Sequence, residues 1–220
     1  MSKSTHTLSD LIEERLKPGA DADDIDRRIE AMFGERWCVV FTDMSGFSRR
    51  AARSGIISFL VLMHQLNKIV QPIVRRNGGI VVKIIADSHL ILFRDPRHGL
   101  AACLELQKAV HRHNSSVPEP DQIYIGAGIG YGDCLKLGDD DVFGVEVNFA
   151  AKLGEDLAGP YEVFVTPDAV KAIGKFDGVR FKKVAGSRLG GTKLPYYEAV
   201  YDAPRDTNVR KAKRGRVRFR

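Results

Sequence analysis

Two aspartates stand where an apolar run gives way to a turn. Asp43 follows the run 37–41 within the segment FTDMSGF (41–47), and Asp87 lies in the Ala86-Asp87-Ser88 connection between the apolar runs 80–85 and 89–93. Carboxylates are hard oxygen donors, suited to Mg²⁺ or Mn²⁺. Taken singly, Asp43 also fits the N-cap of the helix that follows, and Asp87 also fits a hairpin turn former. Taken together, they are 44 positions apart in the chain yet sit at the ends of neighbouring strands, where they can converge on a cation. His89 reads as a strand residue rather than a ligand, because Mg²⁺ prefers oxygen. Cys38, Cys103 and Cys134 are widely spaced within apolar stretches and read as reduced core thiols.

The elements that must carry these residues follow from periodicity. Leu8, Leu11, Ile12 and Leu16 form one helical stripe, and Ile25, Ile29, Met32 and Phe33 a second, predicting an N-terminal helical extension over residues 1–35. Such stripes need a partner surface, on the domain, on a twin subunit or on a regulator. A buried strand over 37–41 leads into a long helix to about residue 77, which contains Pro72 and is ended by Gly78 and Gly79. A hairpin (80–85 and 89–93), a helix (97–114), a strand (122–130) with a partner near 133–137, and a helix (145–157) follow. A strand over 162–165, a short helix after Thr166 and strands near 179–184 and 196–201 complete the chain. That order predicts an α+β fold, a ferredoxin-like βαββαβ core with extra α/β elements and a mixed, largely antiparallel sheet. The main domain spans 36–203, and residues 204–220 form a basic tail.

Three segments in order, FTDMSGF (41–47), KIIADSHLILF (83–93) and DVFGVEVNFAAKL (141–153), together resemble the class III adenylyl and guanylyl cyclase family over about residues 36–202. The resemblance implies the class III nucleotide cyclase fold and closure of a nucleoside triphosphate into a 3′,5′-cyclic nucleotide with release of pyrophosphate. In that chemistry the substrate's own 3′-hydroxyl attacks its α-phosphate, so the protein mainly positions metals and screens charge. The family pattern makes Asp43 and Asp87 the ligands of two Mg²⁺ or Mn²⁺ ions per site. It puts Gly46 and Phe47 in the phosphate-facing segment 44–48, where backbone N–H groups can meet an anion. It makes Lys83 and Asp141 the base readers: lysine donates to adenine N1 and aspartate accepts from the N6 amino group, so ATP is preferred. Lys83 also fits an edge strand facing solvent, and Asp141 an acidic turn with Asp139 and Asp140.

Asn148 matches the position that orients the ribose. Four residues later, where the family has a transition-state arginine, this chain has Lys152, which keeps the charge but loses the planar fork. Lys152 also fits an ordinary surface pair with Asp156. Ala86 replaces a common glycine and would strain a turn needing positive φ. The family's phosphate-binding lysine has no clear counterpart, Arg188 and Lys193 being the nearby cations. Family members assemble head to tail, which implies a homodimer whose sites each combine Asp43 and Asp87 of one chain with the partner subunit's Lys83, the partner subunit's Asp141, the partner subunit's Asn148 and the partner subunit's Lys152. Two other functions stay open: a catalytically weak or silent regulatory module, and a cyclase using GTP, UTP or CTP.

Bulk properties bound these readings. With 220 residues and 44% hydrophobic content, the chain can bury one substantial core. The longest apolar run, 55–63, is short of the roughly 20 residues of a membrane span, and no signal peptide core is present, so a cytoplasmic location is expected. The net charge of +6 owes everything to the end of the chain: seven of residues 210–220 are Lys or Arg, leaving 27 of the 34 basic residues against 28 acidic ones. That tail can make weak contacts with nucleic acid or an anionic surface, or be simply a solvated terminus.

Overall fold

The computed structural model describes residues 3–45, 47–189 and 192–204, with side chains described for 7–45, 55–184 and 195–204. Helices α1 (Lys3–Arg15) and α2 (Ala22–Phe33) come first. The Asp21 carboxylate accepts from Asp24 N at 3.0 Å and so caps α2. Arg15 to Asp26 and Arg28 to Glu14 tie the helices together, exposed pairs that contribute little because water screens them. Burial does more. Leu11, Ile25, Ile29 and Phe33 cluster with Leu137, with Leu8 packed against them, so part of each stripe docks on the chain's own sheet, whereas Ile12, Leu16 and Met32 of those stripes are exposed and Leu16 lies past the end of α1.

That sheet has eight strands. Its order is β2 (Gly79–Ile85), β3 (Ser88–Phe93), β1 (Gly34–Met44), β4 (Ile125–Leu137), β6 (Val163–Val165), β8 (Thr192–Val200) and β7 (Arg180–Leu189), with β5 (Asp141–Phe143) paired to β4. Among the described residues only the β4–β6 pairing is parallel, so the sheet is mixed and largely antiparallel. The central β1 alternates between two cores. Cys38, Val40 and Met44 face α3 (Phe47–Arg76), α4 (Pro96–Asn114) and α6 (Pro167–Ile173); Trp37, Val39 and Phe41 face α5 (Val145–Ala151).

Glycines on alternate positions of β4 explain how α5 lies so close. A Cβ at Gly128 would sit 2.2 Å from the Ala150 carbonyl oxygen, and one at Gly130 would sit 2.5 Å from that of Glu146. The small face of β4 therefore admits helix backbone, while Ala127 and Ile129 fill the core behind it.

Four elements differ from expectation. The segment 133–137 is no separate strand but the end of a continuous β4, paired with β1 through Asp133, Cys134 and Leu135 and with β5 through Leu135, Lys136 and Leu137. The long helix α3 breaks at Gly55, whose φ of 80° and ψ of 163° lie outside helical space. The expected helix 145–157 is α only to Ala151 and continues as a π-helical turn over Lys152–Leu157. Among the described residues one helical segment, Gly55–Arg76, is long and apolar enough to cross a membrane by length and composition alone. Its Leu62, Leu66, Val70, Ile73 and Val74 lie in the main core, the packing of a core helix.

Candidate functional site

A register shift between Val81 and Lys83 decides where the first candidate points. Val81 pairs with Ile91 on the α3/α4 face; the bulge at Val82 then lets Lys83 pair with Leu90, on the opposite face. Without the bulge, alternation would have turned Lys83 toward the helix layer. With it, Lys83 Nζ donates to Asp141 Oδ2 at 2.6 Å across 58 positions of sequence. Asp141 is in turn fixed by the β5 pairing with Leu137 and accepts from Val142 N through Oδ1 at 2.8 Å. Both side chains are part-buried, at 35% and 30% exposure, so neither the solvent-facing reading of Lys83 nor the free-turn reading of Asp141 holds.

Asp43 and Asp87 come together on this same face. Burial first, and then the charge of Asp87, push the Asp43 carboxyl up to about 7. Asp87 is buried at 8% exposure and is also raised, chiefly by burial, while its carboxyl hydrogen-bonds that of Asp43. Ser88 Oγ donates to Asp43 Oδ1 at 3.1 Å. Glu155, in the π-helical turn, adds a further repelling charge to both. A pair of inward-held carboxylates whose charged neighbours are all acidic fits divalent cations well, because a cation offsets the repulsion that burial magnifies. Among the described residues no group of three or more His, Cys, Asp or Glu could hold a metal, so a cation at Asp43 and Asp87 would have at most these two carboxylates as side-chain ligands.

The turn between them is strained as its sequence implies: Ala86 has φ of 52°. An alanine in left-handed space costs roughly 1 kcal/mol relative to glycine. Ala86→Gly is expected to raise the thermal midpoint by about 2–4 °C, measured by calorimetry. No change would mean that the turn is relaxed.

The remaining candidates are less gathered. Asn148 lies exposed on α5. Lys152 Nζ contacts the Asp156 carboxylate, which is the surface-pair arrangement. Neither Lys83 nor Lys152 contributes to the charge environment of Asp43 or Asp87 within one chain. Gly46 and the side chain of Phe47 lie outside the described residues, as do the side chains of Arg188 and Lys193 and the tail 210–220. His89 is fully buried on the α3/α4 face, its Nδ1 3.5 Å from Thr42 Oγ1, and burial lowers it to about 4, so it is neutral and turned from the aspartates.

Three contributors were missed by sequence reasoning. Ser88 was placed only in the turn with Asp87, and Glu155 was not singled out. Glu146 accepts from Tyr131 N at 2.9 Å and Thr166 Oγ1 at 2.6 Å, pinning the start of α5, and hence Asn148, to β4. No spacing signal marks Glu146, since its partners come from two distant elements. The cavity of ≈ 580 Å³ between α4 and the chain after β8 is lined by Lys108, His111, Arg112, Asp202, Ala203 and Pro204, none of them a candidate site residue.

Comparison with known proteins gives these residues a context. Residues 30–197 match the family model described as the adenylate and guanylate cyclase catalytic domain. The chain is 26% identical over 157 residues to serine/threonine-protein kinase pkn2 of Myxococcus xanthus, covering 71% of this chain and 17% of that protein. It is 30% identical over 128 residues to "Putative adenylate cyclase 3" of Rhizobium meliloti (strain 1021), covering 58% of this chain and 22% of that protein. It therefore spans about a fifth of the length of these curated relatives. Among solved structures it is similar to the adenylate/guanylate cyclase/hydrolase from Silicibacter pomeroyi, with a TM-score of 0.66 and 23% identity over 77% of this chain and 99% of that one.

Proposed function

Because this chain belongs to the adenylate and guanylate cyclase catalytic domain family, we propose that it converts ATP, in preference to other nucleoside triphosphates, into 3′,5′-cyclic AMP and pyrophosphate at the seam of a homodimer. The observation that carries the reading is the Asp43–Asp87 carboxyl pair, the first part-buried and the second buried, with acidic groups as the charges that act on it. Two Mg²⁺ or Mn²⁺ ions held by Asp43 and Asp87 would supply Lewis acidity, lowering the pKa of the 3′-hydroxyl and neutralising charge on the leaving pyrophosphate. Asp43 and Asp87 hold fixed negative charge at the end of β1 and in the β2–β3 turn, and Asn148 orients the ribose. ATP, Mg²⁺ and the reduced thiols all suit a cytoplasmic setting.

Support for adenine comes from Lys83 and Asp141. Their side chains already lie on one face and within hydrogen-bond distance, so a donor and an acceptor stand ready for the N1 and N6 edge. Guanine would leave both poorly paired, a mismatch that discriminates by up to about 10⁴-fold where a site is built around the bond. The name of the Rhizobium meliloti relative agrees with an adenine substrate. Support for the homodimer comes from the apolar side chains Ile80, Ile84 and Ile85 on the edge strand β2, with Phe143 and Val145 beside Asp141, all more than 40% exposed. An edge so apolar calls for a covering surface, and a second copy brings Asp43 and Asp87 opposite the missing cations.

One incubation tests the reading. Purified protein with Mn²⁺ and each of ATP, GTP, UTP and CTP, analysed by mass spectrometry, is expected to yield cyclic AMP in excess; absence of any cyclic product would overturn it. The Lys152–Asp156 contact favours a second reading, a weak or silent regulatory module, because it engages the only cation at the arginine position. Lys152→Arg separates the two: kcat is expected to rise about tenfold with KM little changed, since the guanidinium restores a fork for the charge that develops in the transition state. Unchanged turnover would remove Lys152 as the limiting group.

A further inference from the structure

We propose that Ser88 is a positioning residue for the cation site, its hydroxyl fixing which oxygen of Asp43 faces Asp87. This rests on the reading of Asp43 and Asp87 as cation ligands. The ladder between β1 and β3 runs from Cys38 opposite Phe93 to Thr42 opposite His89 and stops there, one residue short of Asp43 and Ser88. Ser88 is still held on its other side, opposite Ile85 of β2, so strand alternation fixes its side chain on the Asp43 face. It is 4% exposed, and its Oγ closes the gap left by the ladder with the 3.1 Å bond to Asp43 Oδ1. A side-chain bond thus continues the strand pairing where backbone bonds end.

The consequence is geometric. A carboxylate offers two oxygens and about four lone-pair positions. Giving one to Ser88 sets the torsion of the Asp43 carboxyl and leaves its other oxygen for a cation. The remaining donor to Asp43 is the backbone N–H of Met44, which any side chain at 44 leaves in place. The charges around Asp43, from Asp87 and Glu155, repel it. Without the Ser88 hydroxyl, only the carboxyl–carboxyl hydrogen bond with Asp87 turns the Asp43 side chain toward that residue, and a cation displaces the proton which that bond requires, so the carboxylate can then swing to relieve the repulsion. Groups that orient metal ligands in this way typically change metal affinity or activity by about 10–100-fold when removed.

The test is a Mn²⁺ titration of the full chain, followed by the electron paramagnetic resonance signal of the free ion, without nucleotide or turnover. Ser88→Ala is expected to weaken Mn²⁺ binding about 10–100-fold. Ser88→Thr, which keeps the hydroxyl, should remain within about threefold of the parent. In the cyclase assay Ser88→Ala should raise the Mn²⁺ concentration at half-activity while kcat at saturating Mn²⁺ stays within a few-fold. Should Ser88→Ala fail to fold, Ser88→Cys replaces it, matching the volume with a far weaker donor. Parent-like Mn²⁺ affinity in the alanine variant, or equal weakening in alanine and threonine variants, overturns the role of Ser88. Asp87→Ala is the reference: if it too binds Mn²⁺ like the parent, the cation reading of the pair fails and takes this inference with it. If only the reference loses Mn²⁺, the pair stands and Ser88 alone is excluded.

Discussion

Asp43→Asn is expected to reduce cyclase turnover by about 10³-fold or more while making the metal-free protein more stable at neutral and alkaline pH. The loss of turnover follows from charge: an amide of nearly the same shape cannot neutralise a cation, and Asp87 alone does not make a pair. The gain in stability follows from linkage. Burial and Asp87 raise Asp43 from 3.8 to about 7 in the folded chain, so between about pH 4 and 7 the folded state binds a proton that the unfolded state has released. Stability from this group is therefore greatest in acid and falls as pH rises through that window. Asparagine removes the dependence. Thermal midpoints in EDTA should accordingly favour Asp43→Asn over the parent strongly at pH 8 and little at pH 5, and Mn²⁺ should reverse the order by stabilising the parent alone. Equal midpoints at both pH values would show that Asp43 is solvated, and retained turnover would remove it from the cation site. A site that costs stability when empty is the expected signature of one shaped for a ligand.

How much of this was legible beforehand depended on whether the determinant was local. The existence of α1 and α2 and the convergence of Asp43 with Asp87 were readable, because periodicity and strand-end placement are written in neighbouring residues, but periodicity did not tell the docked Leu11, Ile25, Ile29 and Phe33 from the exposed Ile12, Leu16 and Met32. The positive φ of Ala86 was legible as a conditional strain, since the only missing fact was the sign of one angle. The bulge before Lys83 was not. Nothing in the apolar segment 79–85 says where its register slips, yet the slip alone decides whether the lysine meets Asp141 or the helix layer. The same holds for β4, where the glycine-rich segment 126–132 looked like a strand approaching its end. Those glycines instead accommodate the backbone of α5, and the strand runs on to Leu137. Ser88 escaped notice because a serine beside a metal-binding candidate has no distinctive spacing; its meaning lies in where a ladder stops.

The intrachain geometry leads to a second large effect. In one chain Lys83 is bound to Asp141, and neither is among the charges that act on Asp43 or Asp87; in the proposed homodimer a complete site draws its two halves from different subunits. Asp87→Ala and Lys83→Ala homodimers should each be nearly inactive, since every site in them lacks either its cation pair or its base reader. Equal mixing with subunit exchange makes about half the dimers mixed, and each of these carries one fully intact site and one doubly defective site. Activity should therefore return to about a quarter of the parent level, measured as cyclic AMP formed after co-refolding. The rise from near zero is large enough to stand clear of subunit misfolding, and two tagged chains purified in tandem would isolate the mixed dimer at about half the parent rate. Proven heterodimers without recovered activity would mean that both clusters serve the same chain. A recovery that fails only when Asp87→Ala is paired with Asp43→Ala, two lesions of one half, would instead fit the shared arrangement, because neither orientation of that mixed dimer contains an intact cation pair.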